Sequence, residues 1–336
     1  MADSAKISRL REALPTLLIL AALAATPLVA LALNDPFIVK VATRVVVFAI
    51  AATALNFVVG YGGLVSLCHA GFFGIGGYVV GILAWHDFNS EPLWFLPGTS
   101  NLAVSLPAAI LVSGVVAAIV GAISLRTSGP YFLMITLAFN QMFYYGAIAL
   151  QKYGGDDGLQ IMNTITLGSL DVSNRYRFFY LALAVLALTL LLIGRFVDSR
   201  FGMVLRAASR NETRVVAVGV DPWLYRLAAF VVSAVLTAVA GALLAAGQQF
   251  ISPVDMGWDR SGDLVVMAVL GGIATVWGPV IGAAAFIVLE LALSSWTQHW
   301  HLAFGFIILM VVIFLRGGLA DLTRMVRPRA AGGAHD

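Results

Sequence analysis

Charged residues are scarce in this chain. Only 11% of the 336 residues are Asp, Glu, Lys or Arg, whereas 60% are hydrophobic and the mean hydropathy is +0.94. One soluble core cannot hide that much apolar surface. The apolar residues also occur in runs long enough to cross a bilayer, which takes about 20 helical residues. The composition therefore predicts an all-α, polytopic helical membrane protein, with residues 1–336 forming a single transmembrane domain.

The residue patterns that catalysis and metal binding need are also missing. Cys68 is the only cysteine, which excludes an intramolecular disulfide and a cysteine-based metal cluster. No Gly-Lys-Ser/Thr occurs, so the chain has no phosphate-binding P-loop and cannot hydrolyse ATP by that route. The five histidines have no ligand-like spacing to carboxylates. The sequence therefore predicts a protein that is not an enzyme and holds no cofactor or metal.

Lysine is nearly absent, with three lysines beside seventeen arginines. The net charge of +3 does not indicate nucleic acid, because membrane proteins carry basic loops that set their orientation. Basic residues gather at the N-terminus, the turn at Arg126, the segment 195–226 and the tail 316–336. Three other loops (87–101, 248–263 and 297–301) hold only Arg260. With the basic stretches in the cytoplasm, ten crossings put both termini inside.

Two apolar stretches are interrupted. Residues 60–81 (GYGGLVSLCHAGFFGIGGYVVG) hold eight glycines in 22 residues, and 264–296 is split by Gly278-Pro279 into two short crossings or a re-entrant pair. Small residues let helices approach closely in lipid, which alone explains the glycines. The same density also lets a helix unwind where its backbone lines a cavity. Paired broken segments indicate a transport path, for which the candidate residues are Ser66, His69, Phe72, Gly74, Gly272 and Glu290.

Glu290 is the only acid inside an apolar run. An intramembrane acid is costly and is by default a functional hypothesis. The alternative is a structural role as partner of a helix end or of an arginine such as Arg44. A single acid without a chain of partners is weak support for a proton relay.

The segment 201–230 is the one long charged run. Ser209-Arg210-Asn211-Glu212 matches a capping box and predicts a short helix over about 210–218. Gly219 is expected to end that helix, and Asp221-Pro222 to start the next one. Residues 202–208 can form a further short helix, and a nearly continuous helix would place Arg206, Arg210 and Arg214 on one face. We interpret the segment as a folded protein-docking surface; an ordinary positive-inside loop is the alternative.

Several stretches together resemble the LivM-type permease subunits of ABC importers for branched-chain amino acids. GYGGLVSLCHAGFFGIGGY at 60–78 is similar to the family's G-Y-x-G-x-x-S-L-G-H-A-x-F-x-G-x-G-A-Y, with Cys68 in place of a glycine. Residues 153–159, 202–243, 250–253 and 271–283 resemble further family blocks in the same order. Arg210 stands where the family commonly has aspartate, and Arg214 where it has alanine, so the detailed ATPase contacts are expected to differ.

The resemblance implies a permease that moves branched-chain or other hydrophobic amino acids inward across the cytoplasmic membrane of a bacterium or archaeon by alternating access. It implies a second homologous permease, two cytoplasmic ATPases, an extracytoplasmic substrate-binding protein and the lipid bilayer as partners. The implied ATPase-coupling residues are Arg206, Ser209, Arg210, Glu212, Arg214 and Gly219. A urea or short-chain amide permease, an ion-coupled secondary transporter using Glu290, and a membrane enzyme or channel are the alternatives.

Overall fold

A computed structural model of the chain describes residues 2–92, 98–168, 170–171, 174–296, 299–314 and 317–320. The described residues form twelve α-helices: α1 Ala2–Ala32, α2 Pro36–Asn56, α3 His69–Phe88, α4 Leu102–Ser124, α5 Pro130–Ala149, α6 Arg175–Asp198, α7 Arg200–Arg210, α8 Glu212–Ala217, α9 Pro222–Gln248, α10 Trp258–Gly271, α11 Gly278–Ser294 and α12 Trp300–Phe314. Most of the basic tail 316–336 lies outside the described residues.

Six of the described helices are long and apolar enough to cross a membrane, by length and composition. They are Pro15–Ala32 within α1, Pro36–Tyr61, α4, α5, α6 and α9. Helix α3 has 20 residues, whereas α10, α11 and α12 have 14, 17 and 15. The predicted polytopic helical membrane protein is confirmed, while the count of ten crossings stays a prediction.

Helix starts follow local capping chemistry. Asp35 accepts a hydrogen bond from the Phe37 amide at the start of α2, and Asp221 accepts one from the Trp223 amide at the start of α9. In each case a proline occupies the first helical position, where its missing N–H costs no helical hydrogen bond. The predicted restart of helix at Asp221-Pro222 is therefore confirmed.

The core is centred on α2, α3 and α9, and glycine sets the approach of α3 to α9. A Cβ atom at Gly76 would lie 1.9 Å from the Ala238 carbonyl oxygen, and one at Gly241 would lie 1.7 Å from the Phe73 carbonyl oxygen. No side chain fits at either position, so the backbones of the two helices meet directly. Close packing through small residues is confirmed for the glycine-rich segment.

Short strands tie the connecting loops together at one end of the bundle. Strand β1, Leu159–Gln160, pairs antiparallel with β4, Phe250–Ile251, and β2, Thr166–Leu167, pairs antiparallel with β3, Leu170–Asp171. The loop after α5 is thereby attached to the loop after α9. Helices α7 and α8 lie in the connection at the opposite end, between the C-terminus of α6 and the N-terminus of α9.

Candidate translocation and coupling sites

The first interruption of regular helix lies between α2 and α3. Helix α2 continues as a π-helix over Phe57–Tyr61, and residues 62–68 are not helical before α3 begins at His69. π-Helical turns inside longer helices occur frequently at functional sites. The sequence suggested both close packing and unwinding for residues 60–81, and both are present, in different parts of the segment.

Side chains from neighbouring helices satisfy the backbone amides at the start of α3. In lipid an unpaired N–H has no water to bond, so such donors need protein partners. The partners come from α5, α10 and the break itself, with these distances: Leu67 N to Thr136 Oγ1 3.2 Å, Cys68 N to Ser66 Oγ 3.3 Å, Ala70 N to Ser261 Oγ 3.0 Å, and Gly71 N to Asn140 Oδ1 2.7 Å. This first break is therefore fixed by a specific polar framework.

His69 is fully buried and belongs to the same framework. Its Nε2 lies 2.8 Å from Ser233 Oγ on α9, and that hydroxyl donates its hydrogen to the Ala54 carbonyl on α2. Ser233 can then only accept from His69, so Nε2 carries the proton and Nδ1 remains a buried acceptor without a partner. One histidine thus connects α3 to α9 and, through Ser233, to α2.

The other candidates near His69 are also inside the bundle. Ser66 and Phe72 are fully buried, and a Cβ at Gly74 would lie 2.0 Å from the Met256 side chain. The structure therefore brings Ser66, His69, Phe72 and Gly74 together. Their role in translocation stays a prediction.

The second interruption separates α10 from α11 and contacts the first one. Residues 272–277 are non-helical, with a positive φ of 121° at Gly272 and 60° at Ala274. Asn56 donates from Nδ2 to the Thr275 carbonyl at 2.7 Å, and its Oδ1 accepts from the Ala274 amide at 3.2 Å. Asn56 is buried and joins the end of α2 to the second break. Sequence analysis missed it, although a lone asparagine in an apolar run was the available signal.

The charged segment forms two short helices, but not with the predicted cap. Helix α7 continues through Arg210, so Ser209 lies inside it and its hydroxyl donates to the Arg206 carbonyl at 3.0 Å. The chain becomes extended at Asn211, whose Oδ1 caps α8 by accepting from the Arg214 amide at 3.1 Å. The predicted Ser209–Glu212 capping box is therefore wrong. A serine in a helix interior bonds back to a carbonyl of the preceding turn, which removes it as a cap.

Glu212 forms an ion pair with an arginine of α9. Arg226 donates to Glu212 at 2.8 Å and also to the Ala208 carbonyl at 3.2 Å, so it joins α7, α8 and α9. Gly219 has a φ of +81° and follows α8, as predicted for a glycine that ends a helix. Because the backbone breaks at Asn211, the three arginines do not lie on one continuous helix.

The outer surface of this segment combines basic and apolar side chains. Arg210 and Arg214 are exposed, and so are Met203, Val216 and Val218, at 65%, 56% and 78%. Its inner face is different, because Leu205, Ala208 and Val215 are buried. We call residues 200–220 the coupling knob.

Leu205 joins the coupling knob to both breaks. It is fully buried in a cluster with Phe57, Val58 and Tyr61, the π-helical end of α2, and Val276 of the second break packs against the same cluster. This junction cluster also includes residues from the end of α6 and the start of α9. Helix α7 is therefore packed on the end of α2, in a cluster that also contacts the segment 272–277.

Glu290 lies toward the other end of α2. It accepts from Arg44 Nη2 at 2.9 and 3.1 Å, so the structure contains the ion pair that was the alternative to a functional acid. Arg44 precedes Asn56 by 12 helical residues, or about 18 Å. Glu290 is therefore separated from Gly272 and the other candidate path residues, and a role for it in transport stays a prediction.

A cavity of about 990 Å³ opens beside this ion pair, at the end of the bundle away from the coupling knob. It lies between the first turns of α2, α6 and α10 and the last turns of α9 and α11. Its lining includes both charged side chains and large apolar ones, among them Arg44, Arg260, Asp255, Phe48 and Phe178. We call it the basic cavity.

Comparison with known proteins identifies the family. The family model described as "Branched-chain amino acid transport system / permease component" matches residues 37–314. The chain is 27% identical over 326 residues to the high-affinity branched-chain amino acid transport system permease protein LivM of Salmonella typhimurium, covering 88% of this chain and 74% of that protein. No solved structure matches the chain.

Two archaeal relatives extend the comparison. The probable branched-chain amino acid transport permease protein LivM of Methanocaldococcus jannaschii is 23% identical over 312 residues, covering 84% of this chain and 87% of that protein. The probable permease protein LivH of the same organism is 29% identical over 124 residues, or 34% of this chain. With the family model matching most of the sequence, the chain belongs to the family of permease components of branched-chain amino acid transport systems.

Proposed function

We propose that this chain is the LivM-like permease subunit of an ATP-driven importer that moves branched-chain or related hydrophobic amino acids into the cell by alternating access. The observation that carries the proposal is the junction cluster, where Leu205 of the coupling knob packs against the end of α2 together with Val276 of the second break. The substrate class comes from the branched-chain amino acid transport named for the related permeases.

The proposed partners follow from what the chain itself lacks. With no P-loop, ATP hydrolysis belongs to two separate ATPases that dock on the coupling knob. The similarity of a stretch of this chain to a LivH protein supports a related permease as the second membrane subunit. A substrate-binding protein delivers the amino acid at the opposite end. The basic loops then face the cytoplasm, with both termini inside.

The transport cycle uses contacts that differ between two states, as any coupling between two sites requires. ATP binding draws the ATPases together and displaces the coupling knob. Leu205 transmits the displacement to the end of α2, and the Asn56 hydrogen bonds pass it to residues 272–277. Helix α9 begins directly after the knob and carries α3 with it through the Gly76 and Gly241 contacts.

Docking is tested on the exposed apolar residues of the knob. Met203→Asp and Val218→Asp change side chains that have little contact with the rest of the chain, so the permease should still fold. We expect both variants to lose co-purifying ATPase subunits. Met162→Asp is the matched control, because Met162 is 62% exposed at the other end of the bundle. Equal recovery of ATPase with all three variants would contradict docking at the knob.

Transport is tested in proteoliposomes that contain the assembled complex. Uptake of labelled L-leucine should require ATP inside the compartment that holds the ATPases, together with the binding protein outside. Uptake by the isolated chain in response to a proton or sodium gradient would contradict the proposal and favour an ion-coupled transporter.

A further inference from the structure

The basic cavity has an excess of positive charge. Four cationic side chains line it (Lys40, Arg44, Arg175 and Arg260), against one lining carboxylate, Asp255. Two of the cations are already paired: Arg44 with Glu290, and Arg260 with Asp255 and Asp263 at 3.3 and 3.4 Å. Lys40 and Arg175 form no ion pair within the described part of the chain. The cavity therefore has cationic groups left over for an anionic ligand.

The two paired arginines face a common aromatic ring. The guanidinium carbon of Arg44 lies 5.7 Å from the centre of the Phe48 ring, and that of Arg260 lies 5.2 Å from it. Cation–π contact within about 6 Å orients both guanidinium groups around Phe48. Two planar donor groups from α2 and α10 are thus brought to one place on the cavity wall.

These guanidinium groups also have donors that are not used. Both hydrogen bonds of Arg44 come from Nη2, which leaves the two hydrogens of Nη1 unused. Arg260 donates once from Nη1 and once from Nη2, so each of these nitrogens keeps a second hydrogen for a ligand oxygen. Arginine presents its donors in a fixed planar arrangement that matches a carboxylate.

We propose that the basic cavity binds a free α-amino acid through its carboxylate, which the unused donors of Arg260 and Arg44 hold beside Phe48. Asp255 is placed to take the ammonium group, and the apolar lining, including Phe178 and Leu243, surrounds the side chain. The cavity volume lies at the upper end of the range of about 300–1,000 Å³ typical of small-molecule sites. This inference rests on the proposed function and adds the chemistry by which the permease recognises its substrate.

Carboxylate recognition separates the amino acid from urea and short amides. A neutral amide has no charge to offset the excess positive charge of the cavity, so it gains little from Lys40 and Arg175, the two cations without an ion pair among the described residues. The shared chemistry of a carboxylate and a phosphate means that an anionic lipid headgroup is the other possible source of the ligand. The experiment therefore includes both.

Binding is measured on the full-length chain in nanodiscs, with labelled L-leucine, L-leucinamide and urea as probes. In phosphatidylcholine nanodiscs we expect L-leucine to bind about ten- to a hundredfold more tightly than L-leucinamide, since one charge-assisted contact contributes that much. We expect urea not to compete with L-leucine. Arg260→Gln should reduce leucine affinity by a similar factor. Arg260→Lys keeps the charge but loses the planar pair of terminal donors, so it should retain only part of the affinity.

A second set of variants guards against misfolding. Arg260→Gln leaves two carboxylates without their cation, whereas the double variant Lys40→Gln with Arg175→Gln leaves none, so it should fold normally and still weaken leucine binding. Lys152→Gln is the matched control, because Lys152 is an exposed cation at the same end of the bundle but outside the cavity. It should bind leucine like the wild type.

Several results would overturn the proposal. These are no leucine binding by the wild type, equal binding of leucine and leucinamide, or unchanged leucine affinity in both Arg260→Gln and the double variant. Phosphatidylglycerol bound through Arg260, without leucine binding, would make the cavity a lipid site. ATP-dependent leucine uptake that is unaffected by these variants would leave the proposed function standing and remove this inference. Selective leucine binding in a chain whose uptake needs no ATP would support this inference and contradict the proposed function.

Discussion

The direct backbone contact between α3 and α9 gives a sharp prediction for Gly76→Ala. The added Cβ would lie 1.9 Å from the Ala238 carbonyl oxygen, while ordinary van der Waals contact begins near 3.4 Å. The helices must therefore separate by about 1.5 Å, because a carbonyl within a helix cannot rotate away. The same separation loosens the Gly241–Phe73 contact on the neighbouring turn.

The magnitude follows from two opposing effects. Overpacking of a well-packed core costs about 1–3 kcal/mol, and a clash with backbone belongs to the upper part of that range. Replacing a helical glycine by alanine returns about 0.5–1 kcal/mol. We therefore expect Gly76→Ala to lower the free energy of unfolding by about 1–2 kcal/mol, with a lower melting temperature of the purified permease.

Gly146→Ala on α5 is the matched control. A Cβ at Gly146 would meet nothing within 4 Å, so only the propensity gain remains and the melting temperature should rise. Both proteins are compared with the wild type by thermal unfolding in the same detergent. Shifts of the same sign and size in the two variants would refute the argument that backbone contact sets the distance between α3 and α9.

Three further changes test the polar contacts. Asn56→Ala leaves the Ala274 amide and the Thr275 carbonyl without their partner, and thermal unfolding should show a loss of about 1–3 kcal/mol for each orphaned group that water does not reach. Arg44→Met should destabilise the protein more than the double variant Arg44→Met with Glu290→Met, because breaking an ion pair leaves a carboxylate uncompensated whereas removing both partners does not. The hydrogen bond and the charge of the Lys152 ammonium lower the pKa of Glu91. The pair should therefore stabilise the fold fully above the unfolded pKa of glutamate and lose that effect as the pH falls through the lowered pKa of the folded state, which a comparison of Glu91→Gln with wild type at neutral and acidic pH checks.

Each of these has an outcome that contradicts it. An Asn56→Ala protein as stable as the wild type would mean that the second break is not fixed by α2. A double variant less stable than Arg44→Met would show that the Glu290 carboxylate stabilises the fold even without Arg44. A Glu91→Gln effect that grows at acidic pH would reverse the expected sign.

Apolar run length and turn chemistry made much of the fold predictable. Helices α4 and α5 coincide, within a residue or so at each end, with two apolar runs of the sequence at 102–125 and 131–150, because a helix in lipid must be about as long as the apolar run. The predicted helix end at Gly219 and helix start at Asp221-Pro222 were also correct. Glycine accepts a positive φ and proline has a fixed φ, and both are local properties of the residue. Such signals do not depend on tertiary structure.

The capping box at Ser209 failed because two caps competed within three residues. Ser209 and Asn211 are both good N-caps, and the choice between them depends on where α7 ends. Leu205 and Ala208 are buried under the bundle, so burial extends α7 through Arg210 and transfers the cap to Asn211. Local sequence contains the two options, but the packing that selects one of them is tertiary.

Only some of the candidate path residues lie together, because tertiary packing again decides the outcome. Spacing in the sequence grouped Ser66, His69 and Phe72 correctly, because they lie on one short segment. It could not show that Glu290 pairs with Arg44 beside the basic cavity while the break that holds Gly272 bonds to Asn56, since this depends on which turns of α10 and α11 contact α2. The cavity itself was not predicted, because its arginines come from α2, α6 and α10, which are far apart in sequence.

Helix α2 connects the two proposed activities. Arg44 and Phe48 near its start line the basic cavity, and Asn56 with the π-helical turns near its end contacts the second break and Leu205 of the coupling knob. About 18 Å of continuous, largely buried helix separates the two regions. A buried helix is much stiffer along its axis than the breaks that follow it. In the proposed cycle we therefore expect a shift imposed at Leu205 to move Arg44 relative to Arg260 on α10. That movement would separate the two guanidinium groups around Phe48 in one of the two proposed states and make amino acid affinity depend on the position of the knob.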